Sequence, residues 1–234
     1  MLMQEKTDIR TPIQPANWNY LHGHDEAIAR KIANVFTRYA EHDNLVGRAL
    51  IKDIYRKDLA EGVIATIVWG YPKGRYPGGR GFNPMLAQLD GIVDILNIGK
   101  ERSGSIDAAE LCYRFKRISG IGISTYSKML YFAEVEAIEG HCLIYDQMVM
   151  RAISISTDPE LATLQARLGS NYLSSKGSAP SYRTYPPALQ EATYGDFLKA
   201  VRLMAERRSM HPADVEQELF LEAPKGRIAE QNGK

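Results

Sequence analysis

Apolar residues in this chain recur at three- and four-residue intervals almost throughout, the spacing that gathers them on one face of an α-helix. Ile28, Ile32, Val35, Phe36 and Tyr39 mark the clearest case, a helix predicted over residues 25–42 with Asp25 as its N-cap. The same spacing predicts helices over 45–54, 59–69, 84–98 and 106–117, the last capped by Ser105. Residues 159–168, 194–208 and 212–221 read likewise, with Ala213, Glu216 and Phe220 in register on the final helix. Strand-like alternation never runs beyond a few residues, and no segment repeats. The fold class expected is all-α.

Residues 118–153 are the stretch around which the rest is organised. Gly120 and Gly122 flank Ile121, so two positions there can take positive φ or admit a second backbone closely. A helical pattern follows at once. Tyr126, Met129, Leu130 and Ala133 share an apolar stripe, while Ser124, Ser127, Lys128 and Tyr131 fall towards the other side. The unpaired amides of such a hairpin and helix start carry partial positive charge, which suits a phosphate. Paired glycines also build ordinary helix–helix turns, so the hairpin alone decides nothing. Asp146 stands eighteen residues beyond Lys128, directly before a periodic segment with Met148, Val149, Ala152 and Ile153. An Asp there can cap a helix, worth about 0.5–2 kcal/mol. It can equally stand as a carboxylate at the mouth of a cleft, and the two roles are compatible.

A chain of 234 residues accommodates one large domain or two small lobes with a cleft between them. Its 44% apolar and 24% charged residues are those of an ordinary globular protein. The net charge of +1 conceals an uneven distribution. No acid lies between Glu61 and Asp90 (Lys73, Arg75, Arg80), between Glu110 and Glu134 (Arg114, Lys116, Arg117, Lys128) or between Glu160 and Glu191 (Arg167, Lys176, Arg183). Such blocks can present a basic face to phosphates, or scatter over a solvated surface. Cys112 and Cys142 lack C-x-x-C spacing and are too few for a four-cysteine iron–sulfur cluster. His22-Gly23-His24 invites a metal reading, yet no further ligands are in view, and no metal site is expected. Neither an apolar signal run nor a membrane span is apparent, so a cytoplasmic protein is expected.

The loop over 70–83, GYPKGRYPGGRGFN, combines five glycines, three cations and three aromatic rings with no acid. Glycine lets backbone approach a ligand, cations meet phosphates, and rings wedge into or stack on bases. A flexible connector would share that composition.

The order of these parts resembles the helix–hairpin–helix (HhH-GPD) DNA glycosylase superfamily. Ile118-Ser119-Gly120-Ile121-Gly122 corresponds to its hairpin, within about 116–134, and Asp146 to the acid that opens the next helix. The sequence is most similar to a bacterial 8-oxoguanine DNA glycosylase-like branch, through the run Thr125 to Phe132, the pair Trp69-Gly70, and Val215 to Phe220. The resemblance spans roughly 45–220. It implies two helical lobes with the active site between them; the composition of the ends sets a helical domain over 21–222 apart from an N-terminal extension (1–20) and a polar tail (223–234). It implies double-stranded DNA with a damaged or modified base as partner; with no membrane span in the sequence, a monomer away from membranes is expected.

The chemistry implied is cleavage of the N-glycosidic bond of an extruded base, with Asp146 stabilising the sugar cation or activating water. Gly120, Gly122 and Ser124 would grip the backbone, with a monovalent cation at the hairpin as in the family; Lys73, Arg75 and Arg80 are candidates for DNA contact from the loop's composition alone. Strand-nicking relatives carry a lysine two residues after the second hairpin glycine, where this chain has Ser124. Lys128, one turn on, could serve as an amine nucleophile with weak lyase activity, contact a phosphate, or pair with an acid. Trp69, Tyr71 and Phe220 are candidates for a base pocket, and Tyr131 and Tyr182 could also stack. The base could be 8-oxoguanine-like or, in antiviral defence, a hydroxymethylated or glucosylated cytosine. A non-catalytic DNA-binding module is a further alternative.

Overall fold

The computed structural model describes residues 8–23, 25–75, 81–169 and 185–223. His24, Arg80, Lys176, Tyr182, Arg183 and the tail beyond Ala223 lie outside the described residues. In chain order the elements are β1 (Thr11–Pro12), a 3-10 segment (Pro15–Gly23), α1 (Glu26–Ala40), β2 (Leu45–Val46), α2 (Arg48–Lys57), α3 (Leu59–Gly70), α4 (Asn83–Leu86) and α5 (Leu89–Glu101). There follow α6 (Ala108–Phe115), α7 (Ile123–Phe132), β3 (Glu136–Ala137), β4 (Gly140–His141), α8 (Gln147–Ile155), a 3-10 turn (Pro159–Leu161), α9 (Ala162–Gly169), α10 (Pro187–Arg208) and α11 (Pro212–Glu222). The fold is all-α, with two antiparallel pairs of two-residue strands, β1 with β2 and β3 with β4.

Asp25 caps α1, its carboxylate accepting the Ile28 amide at 2.9 Å. Other boundaries differ from the periodicity. The helix predicted from residue 45 starts only at Arg48, because Asp43 and Asn44 turn the chain through positive φ and Leu45–Val46 then pairs with β1. Gly47 has no side chain to cap α2; Asp8 supplies the acceptor, 2.7 Å from the Arg48 amide. The helix predicted over 84–98 is broken at Ala87 and Gln88, where the Gln88 side chain turns to the hairpin. Asp107, and not Ser105, caps α6: it accepts the Glu110 amide at 2.6 Å, while the Ser105 hydroxyl donates to the Arg102 carbonyl.

α1, α2, α3 and α5 pack together, and α8, α9, α10 and α11 form a second group. α6 and α7 bridge them, α7 packing on α2, α3 and α5 on one side and on α10 on the other. This corrects the two-sided reading of α7. Thr125, Ser127, Lys128 and Tyr131 are as buried as the apolar stripe, because a helix enclosed on both sides has no solvent face. Phe115 stacks on Tyr126 at 4.8 Å and Tyr145 on Phe197 at 4.6 Å, fixing α7 and the segment before α8 to their neighbours.

Candidate active site

The turn between α6 and α7 is a hairpin with a bare tip. Gly120 takes φ +79° and needs glycine's left-handed freedom; Gly122 is extended at φ −116°, so only one of the two glycines is conformationally required. Neither position has an atom within 4 Å of where a Cβ would sit. Gln88 holds the turn from behind. Its Oε1 accepts the Ser119 amide at 3.1 Å, and its Nε2 donates to the Ser119 hydroxyl at 2.9 Å. α7 begins with no side-chain cap and no acid in its first turn, which leaves the amides of Ile123 and Ser124 without an acceptor among the described residues.

Each polar side chain of α7 then fixes something. Thr125 Oγ1 lies 2.6 Å from the Tyr71 hydroxyl. Ser127 Oγ accepts the Tyr145 amide at 3.0 Å. Lys128 Nζ donates to the Ser124 carbonyl at 2.7 Å and to Asp146 Oδ2 at 3.1 Å. Two adjacent residues of α7 thereby hold two adjacent residues at the head of α8. Asp146 also caps α8, Oδ1 accepting the amides of Met148 at 3.0 Å and Val149 at 3.2 Å. Burial works against the Asp146 charge, but the Lys128 ammonium and those two amides outweigh it and hold the carboxyl below its ordinary range. The pair is nearly enclosed yet reachable, with side-chain exposures of 10% for Lys128 and 17% for Asp146. The Lys128 stem passes over Gly70, where a Cβ would lie 3.5 Å from its Cδ, and Trp69 packs edge-on against Phe132 at 5.3 Å.

A second ion pair adjoins the first. Arg48 grips Glu216 with two bonds, 2.7 and 3.2 Å, and Glu216 is fully buried. Burial pushes the Glu216 carboxyl up, Arg48 pulls it back, and the nearby Asp146 charge pushes it up again. Arg48 and Lys52 both lie over the Tyr131 ring, at 5.2 and 4.9 Å. Sequence reasoning missed this pairing. Its partners lie 168 positions apart, and the only hint is a glutamate in register with Ala213 and Phe220 on the apolar side of α11.

Of the remaining expected residues, Trp69 and Tyr71 adjoin α7 through Phe132 and Thr125. Lys73 and Arg75 are exposed, and Trp69, Tyr71 and Phe220 are half-buried. Tyr71 also packs on Phe82, and Phe220 packs against the hydrophobic core. The acid-free blocks are partly neutralised in space: Arg114 meets Glu110, Lys116 meets Glu191 and Arg167 meets Asp196, each at 2.6 Å. Exposed Lys73, Arg75 and Arg117 have no carboxylate partner among the described residues. A cavity of about 470 Å³ between the β3–β4 pair and the α10–α11 junction contains none of the hairpin, lysine or aspartate groups. Among the described residues no three His, Cys, Asp or Glu side chains could share a metal, and no helix is long and apolar enough to cross a membrane.

The fold is helical: a glycine hairpin feeds a central helix, and that helix holds the aspartate heading the next, an arrangement consistent with an all-α DNA glycosylase. Residues 5–220 match the family model described as "Putative 8-oxoguanine DNA glycosylase OGG-like protein", and the chain belongs to that family. The family carries a DNA glycosylase function in general, with DNA as substrate. No curated protein and no solved structure matches the chain.

Proposed function

We propose that the protein extrudes a damaged base from duplex DNA and hydrolyses its N-glycosidic bond, with Asp146 as the essential carboxylate. Departure of the base leaves positive charge on the sugar, and a fixed anion near C1′ stabilises it or directs water to it. The observation that carries this reading is the Lys128–Asp146 contact of 3.1 Å. It keeps Asp146 ionised in nearly dry surroundings while the side chain stays 17% exposed.

Lys128 acts here as the cation that keeps Asp146 charged. An ammonium donating to both the Ser124 carbonyl and Asp146 has no lone pair for attack on C1′. Water is then the nucleophile and the product is an abasic site in an uncut strand. The open amides of Ile123 and Ser124 donate to a backbone phosphate, and the exposed Lys73 and Arg75 add positive charge for the strand. The carbonyls of Ile118, Gly120 and Ile121 accept no hydrogen bond among the described residues, a hard-oxygen set that fits a monovalent cation shared with that phosphate. Family membership favours an oxidised guanine, for which Trp69, Tyr71 and Phe220 offer stacking surface.

A release assay on duplexes carrying 8-oxoguanine, other damaged bases, and hydroxymethylated or glucosylated cytosine tests the reading. Release of 8-oxoguanine is expected. Release of a modified cytosine alone would replace the substrate class, and release of nothing would overturn the activity.

A further inference from the structure

The backbone that carries Lys73 and Arg75 is clamped by a segment far from it in sequence. Gly74, between the two cations, is buried while both neighbours are exposed. It takes φ +72°, and a Cβ there would lie 2.2 Å from the Asn17 carbonyl oxygen, so the position excludes any side chain on two counts. Asn17 Nδ2 donates to the Pro72 carbonyl at 3.1 Å, and the Tyr20 hydroxyl donates to the Gly74 carbonyl at 2.8 Å. The Tyr20 ring stacks on Trp18 at 6.2 Å, Trp18 packs on Phe82 at 5.4 Å, and Phe82 packs on Tyr71 at 5.0 Å. Tyr71 closes the circuit through its hydroxyl contact with Thr125, the third residue of α7. A run of contacts thus joins the 3-10 segment, the cationic loop and the first turn of the hairpin helix.

Fixing a loop in advance lowers the ordering cost of each contact its side chains later make. We propose that the 3-10 segment Pro15–Gly23 is a positioning element for DNA, with Asn17 and Tyr20 holding Lys73 and Arg75 at set distances from the hairpin. The strand is then gripped twice, by amides at the hairpin and by two cations beside it. This inference rests on the DNA-directed reading above.

The test compares Tyr20→Phe, Gly74→Ala and the reference pair Lys73→Ala/Arg75→Ala with the unaltered protein. Tyr20→Phe keeps the stacked ring and deletes only the hydroxyl with its bonds to the Gly74 carbonyl and the Phe82 backbone, so folding is preserved. Two quantities are measured: duplex Kd as a function of salt, and single-turnover base release at saturating DNA. The reference pair should reduce the salt slope by up to about 2, since each lost phosphate contact removes about 0.9. Tyr20→Phe should weaken binding by about threefold to tenfold and Gly74→Ala by at least as much, both with a reduced slope and an unchanged saturated rate. General loss of folding would lower the active fraction and leave the slope of the remainder intact. A reference pair that binds like the unaltered protein, or Tyr20→Phe and Gly74→Ala proteins with unaltered Kd and slope, would overturn the inference alone. Absence of DNA binding by the unaltered protein would remove the reading beneath it as well.

Discussion

Lys128 reaches back one helical turn so that its ammonium sits between the Ser124 carbonyl, at 2.7 Å, and Asp146 Oδ2, at 3.1 Å. The ammonium therefore stabilises the ionised form of Asp146. With the pair intact Asp146 stays ionised below the usual aspartate value of about 4, and base release should persist down to that range. In Lys128→Met, burial acts with only the helix amides to oppose it, and the acid limb of the pH–rate profile should move up. The same linkage acts on stability. A depressed carboxyl contributes fully above its unfolded value and loses that contribution as pH falls through the folded one. Single-turnover profiles and thermal melts across acid pH measure both, and an unmoved limb in Lys128→Met would contradict the coupling.

Borohydride added during turnover should trap no covalent protein–DNA complex, because the amine is committed as an ammonium donor. A trapped complex that disappears in Lys128→Ala would instead make Lys128 the nucleophile.

Removing Glu216 leaves Arg48 buried without its partner. Glu216→Ala should cost about 3–5 kcal/mol of stability, and the apolar pair Arg48→Met/Glu216→Met should recover most of it. Its pH dependence has the opposite sign to that of Asp146. Burial raises the Glu216 carboxyl, so its contribution is complete below the usual glutamate value of about 4.3 and declines as pH rises through the raised one. Chemical denaturation of the single and double variants decides; equal losses in both would show that the pair is not the source.

The hairpin glycines should differ under substitution. Gly120→Ala forces a side chain into φ +79°, costing about 1–2 kcal/mol locally, and should weaken DNA binding by distorting the tip. Gly122→Ala sits at φ −116° in open space and should fold normally. Equal melting temperatures for the two would contradict the assigned backbone.

Much of this was legible in the chain because its signals are local. Asp25 before an apolar stripe, and Asp146 before another, announce their helices, and both carboxylates cap as their positions imply. The glycine hairpin and the class of fold were likewise readable. What escaped was set by tertiary contact. Leu45 and Val46 read as helix because nothing nearby reveals that β1 will pair with them. Ser127 and Lys128 fall off the apolar stripe, and periodicity does not show that Tyr145, Asp146 and Gly70 enclose them. Arg48 and Glu216 meet only after the two ends of the chain are brought together. The blocks of positive charge were overstated for the same reason, since Glu191 and Asp196 arrive from α10 to neutralise Lys116 and Arg167.

The most direct measurement is single-turnover release of 8-oxoguanine from duplex DNA by Asp146→Asn beside the unaltered protein, with duplex affinity taken in parallel. Asparagine is an adequate helix cap, so fold and affinity should be retained while release falls by at least about a hundredfold, the scale of losing a transition-state charge partner. Release at the unaltered rate, with affinity intact, would contradict the assignment of Asp146 as the carboxylate that drives base departure.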